Sequence, residues 1–189
     1  MKTLPQTVNK ILNLAYLILL TFSIGSHAES GLSAFNPGTV IKDFGRIAAV
    51  NNQLPIPEDM KFKVAFDLGL AADEGKINRQ IDTLARFINM HVANGVKLED
   101  IELAMVVHGK AAMDMTGNLY QKRNKGTLNA NQALIAELTK HQVRFYVCGQ
   151  TAAYYGIDVE DLLPGVNMAL SALTAHAILA QQGYSLNPF

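Results

Sequence analysis

The chain has 189 residues, 16 Lys+Arg against 16 Asp+Glu, 49% hydrophobic residues and one Cys, which is the length of one domain built round one core. Balanced charge argues against a protein held on nucleic acid by a basic field, because such binding needs clustered Lys and Arg to neutralise phosphates. A single Cys excludes an internal disulfide, and without a C-x-x-C pair or a tight His/Cys cluster no structural zinc and no other metal is expected.

Residues 1–28 read as a secretory signal peptide. Lys2 and Lys10 precede a largely apolar run from Ile11 to Phe22, and Ser26-His27-Ala28 offers small residues for cleavage before Glu29. The run is too short to cross a bilayer, which needs roughly 20 residues. The expected product is exported to the periplasm or beyond, without stable membrane insertion, and loss of the two lysines leaves it slightly acidic. Residues 29–60, punctuated by Asn36-Pro37-Gly38, Asn51-Asn52 and Pro55-Ile56-Pro57 around an apolar stretch from Val40 to Val50, read as an arm laid over the domain.

The domain begins at about residue 61. Phe62, Val64 and Phe66 alternate with Lys61, Lys63 and Ala65 in the period of a half-buried strand closed by Asp67. Ile77, Ile81, Leu84 and Ile88 then form the stripe of an amphipathic helix that Asn94-Gly95 ends. Ile101 to Val107 is almost continuously apolar, as suits a central strand covered on both faces, and His108-Gly109 closes it. A long polar connection to Leu128 carries Lys110, Lys122, Arg123 and Lys125, whose charge suits a lid or partner surface that draws an anion in, a solvated loop being the simpler account. A helix over 131–141, a strand over 143–148, a short helix over 150–155, a strand over 166–169, a helix over 171–182 and a last strand over 184–186 complete the chain. Strands alternating with helices predict a mostly parallel sheet with helices on both faces.

Ligands of open α/β sheets bind beyond the carboxyl ends of the strands, which directs attention to Asp67, His108 and Cys148. Cys148 precedes Gly149-Gln150-Thr151, so its sulfur stands where a helix starts and where a thiol is easily ionised. The plainer reading is a small buried hydrophobe. His108 either polarises that thiol, holds a bound anion through an imidazolium, or is a structural histidine, whereas His91, His141 and His176 lie singly on helices and read as structural or solvated. G-x-S-x-G, P-loop, G-x-G-x-x-G and H-E-x-x-H motifs are missing, and no cofactor is expected.

The segments Lys63-Val64-Ala65-Phe66-Asp67, Asn78, Leu84-Ala85-Arg86-Phe87-Ile88-Asn89, Val106-Val107-His108-Gly109, Val147-Cys148-Gly149-Gln150 and Gln182-Gly183-Tyr184 resemble the DsrE/DsrF-like family over residues 61–189. The resemblance implies a flavodoxin-like three-layer α/β sandwich, a homo-oligomer (trimer or hexamer), and sulfur carried as a persulfide on a cysteine. Cys148 matches the sulfur-carrying position. His108 is implied beside it as a catalytic residue, with Asp67, Asn78, Gly149 and Gln150 as substrate-binding residues. The partners implied are a sulfane-sulfur donor and an acceptor. Two functions follow from different classes: a sulfurtransferase-like sulfur carrier acting through Cys148, or a non-catalytic oligomeric binding or assembly protein in which Cys148 is buried and inert.

Overall fold

The computed structural model describes residues 30–124 and 126–188. The segment 1–28 read as a signal peptide, and Lys125 of the polar connection, lie outside the described residues. The chain divides into two compact units, residues 1–34 and 35–189. In the first, a single 3₁₀ turn spans Gly31–Ala34.

The second unit is built on a five-stranded sheet. The strands are β1 (Phe62–Leu68), β2 (Ile101–Val107), β3 (Arg144–Cys148), β4 (Val166–Ala169) and β5 (Ser185–Asn187). Their order is β4-β3-β2-β1-β5, and all four pairings are parallel. The helices that join them are α1 (Arg79–Ala93), α2 (Asn118–Asn124), α3 (Gln132–Lys140), α4 (Gly149–Tyr155) and α5 (Ala172–Gln181). Each expected strand and helix falls within two residues of its predicted bounds. This is the α/β sandwich of the flavodoxin-like class.

The two faces of the sheet are unequal because of what alternates along the strands. Val64, Phe66 and Leu68, Leu103, Met105 and Val107, and Phe145 and Val147 point to one side. There they bury the apolar stripe of α1 (Ile81, Leu84, Ala85, Ile88) and that of α3 (Leu134, Ile135, Leu138) in the main core. Ala65, Ala104 and Val106 point to the other side and meet Ala175 and Leu179 of α5 with Tyr184. Small residues on both partners let this helix lie close to the sheet.

The connection over 109–128 differs from the expected polar lid. It forms a 3₁₀ segment, Gly109–Met115, followed by α2, and Ala111, Ala112 and Met115 have no exposed surface. Those apolar side chains have to be covered, so the segment packs into the core where a lid would stand open. Arg123 pairs with Asp161 at 2.6 Å.

Residues 35–60 carry no helix or strand of their own, apart from one antiparallel bridge between Asn36 and Ile47. They are held on α1 by Asn89, which is fully buried. Its side chain accepts the Ile41 N–H at 2.9 Å and donates to the carbonyls of Ile41, Phe44 and Gly45 at 2.8–3.1 Å. Gly45 adopts φ +63, and a Cβ there would lie 2.2 Å from the backbone nitrogen of Arg86. Only glycine permits this approach.

Candidate functional site

Side chains alternate along a strand, so Asp67 follows Ala65, His108 follows Val106 and Cys148 follows Tyr146 on one face. The register aligns these strands, with Asp67 opposite Val106 and Val106 opposite Tyr146. Three strand ends therefore deliver an acid, an imidazole and a thiol to the same side, the side covered by α5. The second turn of α5 adds His176, and together these residues line a cleft of about 330 Å³ with Gln150, Thr151, Ser171, Ala172 and Leu173.

Cys148 is a free thiol, 6% exposed, at the N-cap of α4. Burial pushes the thiol up, but the Thr151 hydroxyl and the backbone N–H groups of Thr151, Ala172 and Gln150 bond to the sulfur, and together they hold it below the ordinary thiol value. The donors belong to the starts of two helices, α4 and α5. Hydrogen bonds to the charged form favour that form, so the sulfur is poised to be a thiolate. Gly149 makes this convergence possible, because a Cβ there would stand 2.7 Å from the carbonyl oxygen of Ala169.

Asp67 receives two imidazoles from different elements. His108 Nε2 lies 3.0 Å from Oδ2, and His176 Nε2 lies 2.8 Å from Oδ1. Burial pushes the Asp67 carboxyl up, but hydrogen bonds from His108 and His176 outweigh it and keep the group below its usual value. An ionised carboxylate only accepts, so both Nε2 atoms carry the proton. Each ring is thereby fixed in one tautomer, with Nδ1 as its remaining basic nitrogen.

Of the residues singled out from the sequence, Asp67, His108, Cys148 and Gln150 meet at this cleft. The Gln150 side chain donates to the Leu170 carbonyl at 3.2 Å. Gly149 acts through its backbone, and Asn78 stands apart from the cleft. Asn78 caps α1 by accepting the Gln80 N–H, and it donates to the Leu70 carbonyl and to Asp114 at 2.9 Å, a buried network whose partners leave it structural. His108 bonds to Asp67, and no imidazole is among the hydrogen-bond donors to the sulfur. None of Lys110, Lys122 and Arg123 lines the cleft.

Two contributors were not foreseen. His176 read as a lone helical histidine because its partner Asp67 is 109 residues away. Thr151 gave no signal beyond its place three residues after Cys148. His141 pairs with Glu137 at 3.5 Å, and His91 bonds the Phe87 carbonyl at 2.7 Å, both away from the cleft. Among the described residues, no group of three or more His, Cys, Asp or Glu is placed to hold a metal ion. No described helix is long and apolar enough to cross a membrane.

Comparison with known proteins fits this architecture. A protein of unknown function, MTH1491 from Methanobacterium thermoautotrophicum, is 19% identical with a TM-score of 0.52, covering 68% of this chain and 100% of that one. The ychN protein from E. coli is 17% identical with a TM-score of 0.48, again covering 68% of this chain and 100% of that one. At such identity the first likeness shows the fold alone. No curated protein matches the chain. The model of the DsrE/DsrF-like family matches residues 60–188, well over half of the sequence, and the chain belongs to the DsrE/DsrF-like family.

Proposed function

We propose that the protein is a sulfur carrier whose Cys148 thiolate accepts sulfane sulfur, holds it as a persulfide and passes it to an acceptor thiol. Family membership suggests a function related to sulfur relay. The observation that carries the finer reading is the place of the thiol: Cys148 caps α4 in one cleft with Asp67, His108 and His176, and hydrogen bonds from Thr151, Ala172 and Gln150 lower the thiol value in spite of burial. A cysteine that serves packing alone has no need of four donors on its sulfur.

In loading, Sγ attacks the terminal sulfur of a persulfide donor. A new S–S bond forms, the donor's S–S bond breaks, and its electron pair leaves as a thiolate. Release is the same exchange run toward an acceptor thiolate, and neither step changes the overall oxidation state. The His108 and His176 imidazoles, both held by Asp67, stand in the same cleft as the sulfur. With one cysteine in the chain, release goes to another molecule or subunit.

We propose further that the chain is exported, on the charge and apolar pattern of residues 1–28, and that it works as a homo-oligomer. The test of the central reading is intact mass after incubation with a sulfane-sulfur donor. A gain of one sulfur that reductant reverses and that Cys148→Ser abolishes is the expected result. An unchanged mass in the folded protein, with the thiol free, favours the binding or assembly reading instead.

A further inference from the structure

The charge of the cleft bears on which donor it admits. Among the described residues no lysine or arginine lines it. Asp67 as a carboxylate and Cys148 as a thiolate bring two negative charges, and the two imidazoles bring at most two positive ones. The cleft is therefore in no protonation state of its histidines net positive while its nucleophile is charged. The backbone donors at the helix starts are largely engaged. A helix start would ordinarily receive an oxyanion on its free N–H groups. Here those of Gln150, Thr151 and Ala172 are directed at Sγ, and that of Thr174 bonds Ser171 Oγ at 3.0 Å. Beside the sulfur, Leu173 lines the cleft with its side chain 84% exposed, an apolar surface open at the mouth.

We infer that Asp67 sets donor specificity: the cleft takes sulfane sulfur from the neutral, protonated form of an organic hydropersulfide, R–S–SH, whose small apolar group R rests on Leu173, and it turns away sulfur carried on an oxyanion such as thiosulfate. This holds if Cys148 is the sulfur-accepting thiolate proposed above. Sγ bonds to the terminal sulfur of R–S–SH while the bond between that sulfur and the R–S sulfur breaks. Cys148 becomes Cys–S–SH, and the electron pair leaves on R–S⁻, which takes a proton from solvent. Nothing is oxidised or reduced overall. Thiosulfate would have to bring two negative charges up to Asp67 and the thiolate, and like charges repel more strongly where the protein thins the water between them.

The experiment compares initial rates of sulfur uptake, read as mass gain of the intact protein, from benzyl hydropersulfide released in situ and from thiosulfate. Wild type, Asp67→Asn and Leu173→Lys are measured, each normalised to N-acetylcysteine amide with the same donor. Both substituted positions are open to solvent, and circular dichroism verifies that the variants fold. The wild type is expected to prefer the hydropersulfide by about ten-fold or more over the free thiol, and both variants are expected to narrow that preference several-fold through faster use of thiosulfate. A wild-type preference no greater than that of the free thiol, or one that Asp67→Asn leaves unchanged, overturns the inference and leaves the persulfide on Cys148 standing. Uptake from neither donor overturns both.

Discussion

The Thr151 hydroxyl accepts the Gly109 N–H at 3.3 Å, which leaves its single proton to point at the Cys148 sulfur. Thr151→Val keeps the shape and removes that donor, so the thiolate loses support and the thiol value rises. Loss of one such bond is worth about 1 kcal/mol, or about five-fold in the thiolate fraction. The rate of iodoacetamide alkylation against pH reads this directly. Wild type is expected to reach half its limiting rate below the ordinary thiol value, and the variant's curve is expected to move to higher pH. Asp67 carries the second pH prediction. Its folded value lies below the unfolded one, so the ionised carboxylate adds stability above the unfolded carboxyl range and loses it as pH falls through the folded value. The stability difference between wild type and Asp67→Asn is expected to be largest at neutral pH and to shrink in acid, as followed by thermal unfolding. Cys148 and His108 were legible in the sequence because each closes an apolar strand. His176 was not, since nothing local marks a histidine whose partner arrives from another strand across the fold.

Among the elements, α1 does two jobs that its sequence advertises unequally. Its apolar stripe, Ile81, Leu84 and Ile88, is visible as a helical period and accounts for its burial on the sheet. Asn89, one residue further on, looks like an ordinary polar position, yet it is wholly buried and bonds four backbone groups of residues 41–45. Asn89→Ala orphans those groups and is expected to cost about 4 kcal/mol or more in chemical denaturation, since each unsatisfied buried group costs about 1–3. Trypsin is then expected to cut after Lys42 and Arg46 before it cuts the sheet. Equal protease resistance in the variant would show that the arm is held by its apolar residues instead. The 109–128 connection misled for the complementary reason. Its lysines and arginine suggested solvent, while Ala111, Ala112 and Met115 at close spacing belong to a buried turn too short for a helical period to register. Gly149 joins the two scales. A methyl group in Gly149→Ala would press on the Ala169 carbonyl, separate the starts of α4 and α5, and slow alkylation of Cys148 more than it lowers stability.

For the whole molecule, the alternation of strand and helix was enough to give the parallel sheet, because each βαβ step leaves its strand beside the one before. The return of β5 to the far side of β1 carries no such local signature, and a three-residue strand has little period to read. The same topology explains why a site exists here: the ends of β1, β2 and β3 stand side by side, and among the described residues α5 is the helix that covers that face of the sheet. Self-association and export belong to this scale as well. Light scattering of the purified protein is expected to give a mass several times that of one chain, and a single-chain mass at all concentrations would contradict the oligomer. The most direct test of the central claim is the intact mass of the folded protein after exposure to a sulfane-sulfur donor, with Cys148→Ser alongside. A gain of about 32 Da, the mass of one sulfur added at a reactive thiolate, lost on reduction and missing from the variant, is the predicted result. An unchanged mass in wild type, or the same gain in the variant, would contradict it.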